Sequence, residues 1–466
     1  MPTRYHDFAP RLGFAFSPNT AQGPLGKLFG GPGRTSVRAG FGVFFTGYEQ
    51  VSNYWELGNP PFAIFWGSPT PVYLEEPYKD RIQGNDPGQK FPWVPEPNGA
   101  TGFWAQYQPI AAGGPPTDNT TPYMEQYNFN IQRQIGESTI LTIAYVGSAG
   151  HHLMTETDGN PASAGKCLQI AALLDGVGRS GEACGPFGED TIYNISPGVT
   201  YYGTRPYSVT SGRYISRGIL DFTQMQSLAN WTNSNYNALQ VSLEKRIGAV
   251  RLLAAYTWSK SIDDGSGFDD GINPLDHKLS RGLSAFNMAQ NFVVSYLYDL
   301  PFQKALRSHH GPLFKFVDGW QLSGITRFTT GFPIGMGESD DRSLCNCIAV
   351  GSPNWNGQLP QISSPRASAN HQYFSTQQFS VVNLGQLGSA GTRFFSGPGL
   401  NNWNLALHKM TKVNERLAVE FRAEFFNAFN HAQFNNPSGN IDSSTFGEVT
   451  SAGAPRIGQV ALKLTF

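Results

Sequence analysis

No run of eighteen or more apolar residues occurs in this chain, and that excludes a transmembrane helix. Charge is also scarce. Lys and Arg number 33 against 34 Asp and Glu, only 14% of residues for a net −1. A nucleic-acid partner would need a basic face, so that class is set aside. The first residues, Met1 to Asp7, contain no apolar signal-peptide core. Either the protein stays inside the cell or its true beginning lies upstream. Catalytic motifs are missing as well. There is no Gly-x-Ser-x-Gly elbow and no His-Glu-x-x-His pair. The run from Gly159 to Gly165-Lys166 has five residues between its glycines instead of four. Cys167 stands where a phosphate loop needs Ser or Thr, and no strand is expected before it. The reading is therefore non-enzymatic, with no cofactor.

Aromatic residues, in contrast, reach 13%, with 53 Gly and 32 Pro. High aromatic and low charge content suits a β-barrel that shows a band of rings to lipid. The mean hydropathy of −0.31 fits too, because half of each barrel strand faces water. The last segment shows the pattern: Val460, Leu462, Leu464 and Phe466 share one face, and Gln459, Ala461, Lys463 and Thr465 the other. That is period two, the mark of a strand. In residues 415–429, Leu417, Phe421 and Phe425 also fit helical spacing. Strand is preferred because both neighbours alternate.

Taken in order, eleven alternating segments appear: 10–17, 34–45, 123–134, 139–147, 235–246, 250–260, 290–300, 319–330, 401–410, 415–429 and 459–466. Most span about 10–12 residues, near the ~9–11 that cross a bilayer when tilted. Long stretches without clear period follow the second, fourth, sixth, eighth and tenth segments, whereas most other links are short. Residues 191–202 and 213–222 are expected to form a local hairpin. A soluble sandwich or propeller also alternates, but gives no reason for long loops at every second connection. An outer-membrane barrel does. The fold class is all-β, a transmembrane antiparallel β-barrel occupying residues 1–466 as one domain with long extracellular loops.

With these residues laid out, the chain resembles the barrel of Oar-like TonB-dependent outer-membrane transporters. The likeness rests on Tyr127-Asn-Phe-Asn-Ile-Gln-Arg-Gln134, Ala144-Tyr-Val-Gly-Ser148, Asn235-Tyr-Asn-Ala-Leu-Gln240 and Ala255-Tyr-Thr-Trp-Ser-Lys-Ser261. Near the end stand Arg422-Ala-Glu-Phe-Phe-Asn-Ala-Phe-Asn-His431 and Ala452-Gly-Ala-Pro-Arg456. It implies a carboxypeptidase-regulatory-like domain, a plug and a 22-strand barrel energised by an inner-membrane TonB complex. It also implies that Phe466 is the last-residue signal read by the barrel-assembly machinery. The start of the chain departs from that plan, with no signal peptide, TonB-contacting segment or plug. Parity agrees, since single-chain bacterial barrels have even strand numbers. Eleven strands read as the C-terminal half of a longer transporter whose partners are outer-membrane lipid, a plug, TonB and the assembly machinery.

Arg38, Gln132, Glu244, Arg246, Arg327, Glu420, Arg422 and Glu424 are expected to point into the bore, to meet a plug or substrate or to pair across strands. Tyr256, Trp258, Trp320 and Trp403 are expected in interfacial girdles. Cys167, Cys184, Cys345 and Cys347 all fall in external loops and allow three pairings. Cys167–Cys184 is favoured over a strained Cys345–Cys347 bond or a zinc site. The His151-His152 and His309-His310 pairs read as solvated. Residues 263–271 carry four carboxylates and three glycines, and read as a solvated acidic turn or a wrap for calcium. Other readings are a surface adhesin without transport and a soluble carbohydrate-binding β-protein.

Overall fold

The computed structural model describes residues 7–19, 22–47, 75, 110–114, 120–181, 183–208, 222–267, 270–302, 317–349, 351–414 and 416–466. Eleven strands form one antiparallel wall: β1 (Arg11–Phe16), β2 (Thr35–Phe45), β3 (Tyr123–Ile135), β4 (Thr139–Asp158), β5 (Phe222–Ile247) and β6 (Val250–Asp263). They continue as β7 (Gln290–Asp299), β8 (Trp320–Thr329), β9 (Leu400–Lys412), β10 (Ala418–Phe426) and β11 (Ile457–Thr465). Each pairs with the strand before and after it in sequence. Among the described residues the sheet does not close, so β1 and β11 are its edges. Within 415–429, Ala418–Phe426 resolves as strand: β9 and β11 pair with β10 residue by residue, which a helix could not allow.

Register carries the two faces across the whole wall. On one side Phe129, Tyr145, Leu239 and Trp258 stand in line through successive pairs. Farther along, Phe421 opposes Leu462 and Ala423 opposes Val460. This apolar face is bare: Val460 is 69% exposed and Leu462 67%. On the other side Asn130, Gln132, Thr142, Ser242, Glu244, Arg327, Arg422 and Glu424 recur. One face thus offers hydrocarbon and the other hydrogen bonds, as a wall between lipid and water requires.

Glycine serves the apolar face at one point in particular. A Cβ at Gly147 would lie 2.1 Å from the Tyr127 ring, so only glycine lets that ring lie flat over its cross-strand partner. The Tyr127 and Tyr145 rings stack at 6.1 Å, and both hydroxyls donate to Asn237 Oδ1. Rings also gather at the opposite end, where Trp320 meets Phe421 edge-on at 6.2 Å. Three short connections lie at that end, the tightest between Ile247 and Val250, where Gly248 takes a φ of +54° that favours glycine.

Two strands are longer than the alternation foretold. β4 continues eleven residues past Gly147 to Asp158, and β5 begins at Phe222 instead of 235. A short strand, Ile110–Gly114, adds to β5 in parallel. The period fades here because loop segments cover both faces: Thr155, Thr157, Leu228 and Ala229 are all buried. The hairpin also differs, being made within 192–202 by Ile192–Ser196 and Val199–Tyr202; residues 213–221 lie outside those described. The histidines of 151–152 lie on β4, His151 stacked on Tyr123 at 4.8 Å. His309 and His310, and most of 46–122, lie outside the described residues.

If the apolar face meets lipid, charge should be tolerated on one side of a strand only. Leu243→Arg is expected to destabilise the folded protein by about 2–4 kcal/mol in vesicles. Ser242→Arg, one residue away on the polar face, should stay within about 0.5 kcal/mol. Urea titration of the two variants checks this.

Candidate functional site

The long connections all leave one end of the wall, and the described residues of those after β4, β6, β8 and β10 fold into a packed layer of their own. After β4 comes helix α1 (Ala164–Gly176), started by Ser163, whose Oγ accepts from the Lys166 N–H at 3.3 Å. Cys167, Ile170 and Leu174 form its buried stripe. They pack with Cys184, Tyr193, Ile195 and Leu344. The structure joins Cys167 to Cys184 with a Cα–Cα distance of 5.2 Å, and Cys345 to Cys347. With β4 running to Asp158, a strand does precede Gly159. Cys167 is nonetheless fully buried in a disulfide, so no phosphate loop forms there.

A second core joins residues 331–399 to 427–456. Phe374 sits at its centre, fully buried, with Phe379, Phe395 and Phe446 around it at 5.2–5.9 Å. Periodicity could not reveal either core, because their residues come from separate loops without repeat.

Three arginines tie the 331–399 segment to its neighbours. Arg205, wholly buried, donates to Asp158 at 2.9 Å, to Asp190 at 2.8 Å and to the carbonyls of Asn160 and Asn346 at 3.0 Å. Arg393 reaches Asp270 at 2.9 Å, Asp263 at 3.4 Å and the Leu283 carbonyl at 2.7 Å. Arg342 donates to Asp442 at 2.8 Å. That contact holds the Asp442 carboxyl below its ordinary range, whereas burial pushes Glu338 up. Arginine engages the described carboxylates of the acidic turn: Asp263 and Asp270 bind Arg393, and Asp264 binds Arg281 at 2.7 Å. Asp269 lies outside the described residues. No cluster of three His, Cys, Asp or Glu suited to a metal occurs among those described.

Glu189 is the exception to this full pairing. It is wholly buried, and neither carboxyl oxygen has a hydrogen-bond donor. Burial, and then the adjoining Asp341 carboxyl, raise its pKa to about 8. Asp341 is occupied as an acceptor for Ser343 Oγ and the Asn346 N–H, both at 2.8 Å. A proton on Glu189 removes the repulsion between the two acids.

On the wall, Arg38, Gln132, Glu244, Arg246, Arg327, Glu420, Arg422 and Glu424 share the polar face. Their charges pair mainly along a strand: Glu244 with Arg246 at 2.7 Å, and Glu420 with Arg422. Across strands, His408 lies 3.9 Å from Glu420, and Gln459 donates to Glu424. Arg327 donates to Asn291 at 3.4 Å, and Arg38 stands opposite Asn130. A cavity of about 320 Å³ opens beside Ser295, Ser323, Asn404, His408 and Glu424. Tyr256, Trp258, Trp320 and Trp403 all fall on the apolar face, and Phe466 follows β11, 97% exposed.

The model of the outer membrane beta barrel domain family matches residues 1–459. The chain belongs to this family. It is accordingly an outer-membrane protein, and the lipid-facing wall is that of a barrel domain. No curated protein matches it. Among solved structures, the outer membrane transporter YddB from Escherichia coli is similar at 9% identity and a TM-score of 0.43, over 93% of this chain and 38% of that one. The siderophore receptor PirA from Acinetobacter baumannii shows 8% identity and 0.42, over 98% and 40%. The FrpB iron transporter from Neisseria meningitidis shows 9% and 0.39, over 98% and 39%. The barrel chain thus spans about two fifths of the length of these structures.

Two outcomes follow for the loop layer. Arg205→Ala strands Asp158 as a buried, unpaired charge and is expected to cost about 3–5 kcal/mol, visible as faster proteolysis of residues 159–208. For Glu189, the folded state holds the proton more tightly than an unfolded chain. The stability it contributes is complete below the ordinary carboxyl value of 4.5 and is lost as pH rises through about 8. Glu189→Gln should therefore leave cleavage near pH 4 little changed and slow it increasingly from there toward pH 9, relative to the native chain at the same pH.

Proposed function

We propose that the chain is wall and mouth of a TonB-dependent transport barrel, the whole of 1–466 acting as one barrel domain without catalysis. The observation that carries this reading is the polar face, continuous through eleven registered strands and backed everywhere by an apolar one. A sheet with that division separates lipid from an aqueous bore. The resemblance to Oar-like transporters supplies the plug and the TonB complex as partners, and Phe466 as the signal for barrel assembly. In this reading Arg38, Glu244, Arg246, Arg327, Glu420, Arg422 and Glu424 line the bore. Glu424, Arg422 and His408 lie where a plug or passing substrate would meet donors and acceptors in quick succession. The loop layer then captures substrate, whose class the polar lining leaves open.

A second reading, surface attachment without import, draws on the same loop layer, since two packed cores and three arginine ties exceed what a passive rim needs. One experiment separates them. A photo-crosslinking residue placed at Arg422 should capture a plug segment in cells producing the functional receptor. Capture of lipid at that position would overturn the bore assignment. An empty bore that captures neither would favour attachment alone.

A further inference from the structure

On the polar face, an apolar island stands where the alternation calls for polar groups. Its centre is Ser295, a small exposed residue half-way along β7. In register, Leu253 of β6 lies on one side of it and Ile325 of β8 on the other. Val293 and Leu297 flank it along its own strand, two residues away on the same face. Neighbours of these two kinds stand about 5 Å and about 7 Å apart. Four aliphatic side chains therefore wall a shallow dish whose floor is one hydroxyl. Leu253 is 49% exposed and Ile325 50%, although both point away from the apolar face. Ile140, another apolar residue of the polar face, has Gln134 and Glu244 beside it instead.

The surroundings limit what the dish can hold. The cavity of about 320 Å³ that takes in Ser295, Leu297 and Ile325 extends to Asn404, His408 and Glu424. That is near the lower end of small-molecule sites, which start at about 300 Å³, and it gives room for one or two rings. Bare aliphatic walls gain by being covered with another apolar surface. At the polar end, Asn404 Oδ1 accepts from the Asn427 N–H at 3.0 Å and from Asn402 at 3.1 Å. Asn404 thus meets a ligand as a donor, and Glu424 as an acceptor. Charge is balanced on both flanks, Glu244 with Arg246 and Glu420 with Arg422. A net charge on the ligand gains nothing there, whereas a hydroxyl or amide finds both a donor and an acceptor.

We infer that this dish is a substrate subsite for a ring-sized apolar group on a small uncharged molecule with a hydroxyl or amide at one end. The inference rests on the transport-barrel reading for which face lines the bore, and it adds the substrate class that the polar lining does not name.

The probe is para-hydroxybenzophenone, a phenol whose excited carbonyl takes hydrogen from a nearby C–H bond and then joins the two carbons. With the full chain in phosphatidylcholine vesicles, mass spectrometry should find saturable adducts on Leu253, Leu297 or Ile325. Adducts on Leu243 and Leu252 of the apolar face should rise with probe concentration without saturating. Ser295→Leu fills the floor of the dish and Ile325→Gln removes a wall. Each should lower the saturable adducts about tenfold and leave those on the apolar face unchanged. Dish adducts that do not saturate, or that neither variant lowers, would overturn the inference. So would a dish that stays unlabelled beside a labelled apolar face, the result expected if a protein segment covers it. Ser295→Cys checks the reading beneath and should react with a membrane-impermeant maleimide. A thiol there that does not react would sink the bore assignment itself, whatever the ligand.

Discussion

A peptide group in hydrocarbon has no solvent to bond with, so each wall strand must give its N–H and C=O groups to its neighbours. Everything else in this molecule is arranged around that demand. Pairing forces the chain into extended segments, extension forces side chains to alternate, and the membrane then sorts the two sets by chemistry. The wall consequently has almost no core in the usual sense. Most of its large apolar side chains stay bare, and most of the wholly buried ones, such as Phe374, Ile170 and Leu344, belong to the loops. Packing is concentrated where water is the surrounding medium and where burial alone can drive it.

That division explains how the loops hold together. Three cross-loop arginines converge on or extend from residues 331–399, so this segment acts as the keystone of the layer. Buried guanidinium groups suit the position because each can satisfy several acceptors at once from a fixed fork. Arg205 meets four groups drawn from three parts of the chain. Glu189 shows the opposite case, a buried acid facing another acid, and it makes the tightness of the layer a function of proton concentration.

Most of the wall was legible in the sequence, including eleven strands, their order, the two faces and which connections are long. It was legible because one physical rule acts on every strand, and a rule applied at period two leaves a trace that can be counted. Tyr127, Phe129 and Ile131 announce their face; nothing comparable announces Phe374 or Arg205. The loop cores join residues from connections far apart, and their contacts obey no local spacing. For the same reason β4 and β5 looked shorter than they are. Beyond Gly147 both surfaces of the ribbon are covered, and the distinction between inner and outer residues disappears. The acidic turn was legible only in part: its carboxylates were visible, but the distant Arg393 and the nearby Arg281 that pair with them were not.

The ribbon of β4 and β5 has a consequence for how anything large would be met at this surface. At ~3.3 Å per residue a 26-residue strand reaches about 85 Å, against a hydrocarbon layer of about 30 Å. Much of it stands clear of the bilayer as a rigid mast, with α1 and its disulfide fastened near the top. Among the described residues a visitor therefore encounters a fixed array and not a set of swinging arms. The entropy that flexible loops would surrender on contact has already been given up during folding, so recognition at this height is preorganised.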